Sequence, residues 1–260
     1  MNTIKTLIDN NLTDKDDGHC YAEVYDILFE AIQSKAQNVL EVGIDKGGSI
    51  LLWKNYFSNA AIYGIDCNQE GCINRDVLQH LANDDKVELL LNLNAYDTLA
   101  IDMIHCISKS SFFQPNPKFD VIIDDGPHTV DSQKKFIELY SSLLSENGIL
   151  IIEDIQSIDY CDELFDTVPD ELKQYVQIYD LRNAKGQYDD ILFMINKLSS
   201  MEKYFVYNGQ IIPTKTDKWM YGKWTSYSPN NYIKPVHPND FVLDEVKKWA
   251  RNKNPYYIQN

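Results

Sequence analysis

Long apolar runs are missing from this chain. None approaches the ~20 residues that a membrane-spanning helix needs, and the polar start Met1-Asn2-Thr3-Ile4-Lys5 lacks the apolar stretch of a secretion signal. The expectation is a soluble, cytoplasmic protein. Cysteine is scarce and unpatterned: Cys20, Cys67, Cys72, Cys106 and Cys161 are odd in number and show no CxxC spacing. That argues against zinc or disulfides and for reduced thiols. Positive charge is also in short supply. With 24 Lys and Arg against 39 Asp and Glu the formal charge is -15, so a nucleic-acid backbone would be repelled across most of the surface. Internal repeats and low-complexity tracts are absent. What is there, 260 residues of which 44% are hydrophobic and 24% charged, suffices for one large core or one core with a small appendage.

Three segments emerge. Residues 1–36 begin polar and then place Tyr21, Val24, Tyr25, Leu28, Phe29 and Ile32 at helical spacing, so one face can pack on a sheet. Residues 37–197 alternate regularly between short apolar strands and helical patterns. Strands are expected at Asn38 to Val42, Ala61 to Ile65, Val87 to Leu91, Val121 to Ile123 and Ile149 to Ile152. Helices are expected at Ser49 to Tyr56, near Ile73 to Leu81, around Ala100 to Ile107, at Val130 to Leu144 and near Tyr160 to Leu172. Tyr175 to Leu181 and Ile191 to Asn196 are joined by a link too short for a crossover helix and should form an antiparallel hairpin. The result is an α/β, Rossmann-like sheet of seven strands whose last strand is antiparallel, an organisation that resembles class I methyltransferases. Residues 198–260 carry Trp219, Tyr221, Trp224, Tyr227, Tyr232, Tyr256 and Tyr257 and one amphipathic stretch, Phe241 to Trp249. They read as an appendage or lid, or as a contact in a homo-oligomer.

Two of the apolar runs end on paired acids. Val121-Ile122-Ile123 stops at Asp124-Asp125, with His128 shortly after, and Ile149 to Ile152 stops at Glu153-Asp154. In parallel sheets ligands gather beyond the carboxyl ends of the strands. The four carboxylates gathered there beside the histidine repel one another unless a cation is present, which points to a metal-dependent active site.

The first strand leads into Gly43-Ile44-Asp45-Lys46-Gly47-Gly48-Ser49, where bare backbone lets a ligand approach. Asp45 stands where a dinucleotide fingerprint needs glycine, which weakens a nicotinamide reading. Glu41 and Asp45 suit instead a ligand with a positive centre and an ammonium group, as in S-adenosylmethionine. Asp66, ending the second strand, is the expected ribose ligand, and Asn94 and Tyr96 beyond the third are candidates for the adenine. Glu41, Gly43, Gly47, Gly48, Ser49, Asp66, Asn94, Tyr96 and Asp124 form the candidate cofactor set.

A narrower resemblance rests on Asp124-Asp125-Gly126-Pro127-His128 and Glu153-Asp154, with Thr13-Asp14-Lys15, His19 and Tyr21 upstream. These residues resemble the magnesium-dependent sugar O-methyltransferases of the mycinamicin and tylosin type, the rhamnosyl O-methyltransferases and the cephalosporin hydroxylase group. Pro127 departs from the serine usual in that family, and the segment after Lys197 is not covered. The resemblance implies Asp125, Glu153 and Asp154 as ligands of Mg2+ or Mn2+, and His128 as general base toward a sugar hydroxyl. A carboxylate set without a sulfur or imidazole cluster does favour such oxygen-loving ions. Because adjacent acids on a strand point in opposite directions, Asp124 falls to the cofactor side. Gln156 and Tyr160 are candidate substrate contacts. The other histidines, His19, His80, His105 and His237, read as structural, and Arg182 with Asp189 and Asp190 reads as an ion pair of the hairpin.

The expected acceptor is a sugar-containing small molecule, nucleotide sugar or glycan, as in polysaccharide biosynthesis. Methylation of a catechol-like molecule and a repurposed, non-catalytic methyltransferase fold are the rival readings.

Overall fold

A computed structural model describes residues 2–67, 74–107, 111–181 and 187–198, and the backbone of a hairpin formed by 203–207 and 210–214. Cys72, Arg182, His237, the aromatic residues from Trp219 onward and the Phe241 to Trp249 stretch lie outside the described residues.

Short apolar segments rich in Ile, Val and Leu become β1 (Asn38–Val42), β2 (Ala61–Asp66), β3 (Val87–Leu91), β4 (Phe119–Asp124) and β5 (Leu144–Ile152). Between them run α3 (Gly48–Tyr56), α4 (Arg75–Ala82), α5 (Thr98–Cys106) and α6 (Val130–Tyr140). Two helices precede the sheet, α1 (Ile4–Leu7) and α2 (Tyr21–Phe29), and α7 (Tyr160–Thr167) follows β5. The chain then returns through β6 (Val176–Asp180) and β7 (Ile191–Asn196). The strand order is β3-β2-β1-β4-β5-β7-β6. β1 to β5 pair in parallel, while β7 runs antiparallel to both β5 and β6. This is the Rossmann-like class I methyltransferase sheet expected from the alternation. A separate antiparallel pair, β8 (Lys203–Tyr207) and β9 (Gln210–Thr214), follows.

Alternate residues of each strand face opposite layers. Leu40, Ile122 and Leu150 pack into one core, and Val39, Val121, Ile123, Ile149 and Ile151 into the other. The second core is completed by the N-terminal segment, whose Tyr21, Tyr25 and Phe29 are fully buried with Trp53 and Phe57 of the α3 region. Removing that aromatic cluster from water stabilises the domain by roughly 2 kcal/mol per large side chain, so residues from Tyr21 onward are part of the core.

Two helices end earlier than their patterns suggest. α6 stops at Tyr140, and a single 3-10 turn at Ser141–Leu143 feeds directly into β5. α7 stops at Thr167 because Val168, with φ -63° and ψ 132°, precedes Pro169, whose ring disfavours a helical conformation in the residue before it.

Candidate active site

The carboxyl ends of β1, β4 and β5 lie side by side, where the strand order reverses between β1 and β4. The Asp125 amide still donates to the Val42 carbonyl at 2.8 Å, and the Glu153 amide to the Asp124 carbonyl at 3.0 Å. That pairing brings the two acid pairs together.

Strand parity then separates them. Asp124 is buried toward the α5 and α6 side, where its Oδ1 accepts from the Tyr96 hydroxyl at 2.6 Å. Burial pushes its carboxyl up to about 7. Asp125 points to the opposite layer and is half-buried. The backbone permits this through glycine: a Cβ at Gly126 would lie 2.0 Å from the Tyr96 hydroxyl, and one at Gly43 (φ 86°) would lie 1.8 Å from the Asp125 carbonyl.

Asp154 would by parity face away from Asp125, but its φ of 52° turns the chain. Its carboxylate meets the Tyr21 hydroxyl, and its Oδ2 lies 3.7 Å from His128 Nε2. His128 itself has φ 55°, and its Nε2 is 3.9 Å from Asp125 Oδ1. Left-handed non-glycine residues are uncommon and gather at functional sites. Asp125, His128 and Asp154 thus each offer one ligand atom, all within 4.8 Å of one another. The separations are too long for hydrogen bonds and leave space between the groups, and two carboxylates with an imidazole are donors that suit a divalent cation. Burial, with the neighbouring Asp125 charge, pushes the Asp154 carboxyl up to about 6.

The structure does not bring Glu153 into this group. Its side chain is buried in the α2 layer, one oxygen accepting from Lys15 Nζ at 2.5 Å and the other from the Tyr25 hydroxyl. Burial holds it well above the usual carboxylate range. Glu41 is likewise enclosed, with Trp53 Nε1 donating to its Oε2 at 3.0 Å, the Lys15 ammonium 3.3 Å from its Oε1 as an ion pair, and Ser49 against it. Burial raises it to about 7.

The remaining candidate cofactor residues divide between the crevice and the interior. Asp66 is half-buried at the end of β2, and its Oδ2 accepts from the Ile44 amide at 2.7 Å. Exposed Asn94 accepts from the Tyr96 amide at 3.1 Å. Gly47, left-handed at φ 90°, caps α3. Gly48, however, is covered by the chain itself, since a Cβ there would lie 2.4 Å from the Leu12 carbonyl. Gln156 is half-buried beyond β5, and Tyr160 opens α7 and packs partly against the core.

Two cations escaped a functional reading of the sequence. Lys15 reaches the acids of three strands. His19 has Nδ1 2.6 Å from Asp190 Oδ1 and 3.4 Å from Asp154 Oδ1. Burial opposes the His19 proton, but Asp14 and Asp190 outweigh it and push the imidazole up to about 11. The motif Thr13-Asp14-Lys15 with His19 was the available signal, carried only by resemblance.

Fold and site together have the organisation of the class I methyltransferase fold. Residues 40–155 match the model of a family described as methyltransferase domain. Curated relatives include a Streptomyces olivaceus tetracenomycin rhamnosyl 3'-O-methyltransferase, 23% identical over 150 residues, 55% of this chain and 34% of that protein. Another is the Micromonospora griseorubida mycinamicin VI 2''-O-methyltransferase, 25% identical over 145 residues, 53% of this chain and 32% of that one. The chain spans about a third of the length of these relatives. Among solved structures, an rRNA-methylase candidate from Clostridium thermocellum superposes with a TM-score of 0.50 at 15% identity, over 70% of this chain and 97% of that one. That likeness concerns the fold. Among the described residues no helix is long and apolar enough to cross a membrane.

Proposed function

We propose that the protein is a Mg2+-dependent O-methyltransferase that transfers a methyl group from S-adenosylmethionine to a sugar hydroxyl, on a glycan, a nucleotide sugar or a glycosylated small molecule. The observation that carries it is the Asp125, His128 and Asp154 group at the mouth of a methyltransferase sheet. The sugar acceptor is supported by the curated relatives. Residues 37–197 form the catalytic domain, 1–36 the N-terminal segment and 198–260 an appendage or lid. A reducing cytoplasm suits its cysteines Cys20, Cys67, Cys106 and Cys161.

Asp125 and Asp154 would hold the ion, with Glu153 joining them on exchanging its contact to Lys15 or Tyr25. When bound, Mg2+ lowers the pKa of a hydroxyl and fixes its direction. His128, 31% exposed beside these acids, takes the hydroxyl proton as general base. The hydroxyl oxygen forms its bond to the methyl carbon as the sulfur–methyl bond breaks, giving a methyl ether and S-adenosylhomocysteine. Asp66 would orient the ribose, the Asn94 and Tyr96 turn would border the adenine, and Gly43 and Gly47 would admit the cofactor to the backbone. Asp124, tied to Tyr96, would set the floor of that side.

The test is transfer of labelled methyl from S-adenosylmethionine to rhamnosides, sugar nucleotides and vicinal aromatic diols, with and without chelator. Chelator-sensitive transfer to a sugar is expected, and His128→Gln should lower the rate by roughly 10²- to 10⁴-fold. Turnover of the aromatic diols alone would replace the sugar acceptor by a catechol-like one, and cofactor binding without transfer to any hydroxyl would make this a repurposed fold.

A further inference from the structure

Lys15 lies outside residues 40–155, in a stretch whose neighbours Asp14, Asp16 and Asp17 are at least partly exposed, yet its own side chain is 1% exposed. Its ammonium contacts Asp125 Oδ2 at 2.7 Å, Glu153 Oε2 at 2.5 Å and Glu41 Oε1 at 3.3 Å. The three acids come from three adjacent strands and share one face of the sheet, the one that packs under α2. The ammonium donates to Asp125 and Glu153 and neutralises Glu41 across an ion-pair distance. The geometry is held from behind as well, because the Lys15 carbonyl accepts from the Ala22 amide at 3.0 Å and is thereby tied to the start of α2. Taking an ammonium out of water is costly, and an anchor for the N-terminal segment alone could be built more cheaply from apolar contacts.

Asp125 shows what the contact accomplishes. One of its oxygens is taken by Lys15, and the other faces His128 and, beyond it, Asp154. We infer that Lys15 is a positioning residue for the cation site: its ammonium fixes the Asp125 carboxylate so that Oδ1 is presented to the ion, and offsets the repulsion among Asp125, Glu153 and Glu41. This rests on the reading that Asp125 and Asp154 hold a divalent ion beside His128.

The probe is Mn2+ alone, followed by electron paramagnetic resonance on the full chain, so no acceptor is needed. The decisive variant is Lys15→Met combined with Glu41→Gln, which removes the ammonium together with one of its three acid partners. Loss of a positive charge beside the site would by itself strengthen cation binding, so any affinity the variant loses reports orientation. We expect the double variant to fold with a lowered melting temperature and to bind Mn2+ roughly 10- to 100-fold more weakly, as loss of a partner behind a metal ligand does. Affinity within about threefold of wild type, in a folded double variant, would overturn the inference and leave Lys15 as an anchor.

Should the double variant fail to fold, the wild-type chain still decides. The buried ammonium gives a slowly exchanging side-chain nitrogen signal, which must shift on titration with Mg2+ at the midpoint of ion binding; an unchanged signal overturns the inference. If wild type itself binds no Mn2+, the cation reading fails and the role of Lys15 with it. Binding by wild type that the double variant retains overturns the Lys15 role alone.

Discussion

Tyr63 in β2 carries a phenol hydroxyl that finds no hydrogen-bond partner among the described residues, and its ring meets Phe113 and Phe119 edge-on. Burial pushes its pKa up to about 12. Tyr63→Phe removes a polar group that gains nothing from the fold, and it should stabilise the protein by about 1 kcal/mol in denaturant unfolding. Because the folded-state value is raised above the ordinary value near 10, the stability present below that pH is lost as pH rises toward the folded value. The variant should show a shallower decline than wild type over that interval. At this same scale the sequence was unevenly informative. Alternation along a strand is by itself enough to separate Asp124 from Asp125. Nothing local reveals that Lys15, in the run Asp14-Lys15-Asp16-Asp17, is buried, since its surroundings come from Glu41, Asp125 and Glu153, far along the chain. The left-handed turn at Asp154, which brings it back to His128, is equally invisible in a string of letters.

Elements position the site through their ends. Thr129 caps α6, its side chain accepting from the Ser132 amide at 3.2 Å, and fixes the chain immediately after His128. Thr129→Ala should cost about 1 kcal/mol in unfolding free energy and lower methyl transfer while leaving the helix intact. Gly43 ends the run from β1 in a left-handed conformation against the Asp125 carbonyl. Gly43→Ala should destabilise by more than about 2 kcal/mol, because a Cβ there meets backbone that has no other place to go; calorimetric melting checks it. Most strands were legible from their apolar runs, since a doubly covered sheet demands continuous hydrophobicity, whereas β5 begins at Leu144, ahead of the expected Ile149, on polar residues that carry no such pattern. Helix ends were less so, because Pro169 and the 3-10 turn before β5 act against a periodicity that continues past them. The glycines after β1 were legible as places of close approach, but at Gly48 the approaching group is Leu12 of the same chain.

For the molecule as a whole, one sheet gathers the acids of three strands at one edge, and the N-terminal segment supplies the buried positive charge that makes the gathering tolerable. That segment lies outside the matched methyltransferase domain and yet completes one of its two cores. An overall charge of -15 adds a long-range attraction for cations that salt will weaken. The central claim is that Asp125 and Asp154 create a divalent-cation site in a methyltransferase fold. Calorimetric titration of Mg2+ into the S-adenosylmethionine-saturated chain, wild type against the Asp125→Asn and Asp154→Asn double variant, tests it most directly. One ion bound per wild-type chain and none by the double variant is the predicted result; equal binding by both, or no binding by wild type, would contradict it.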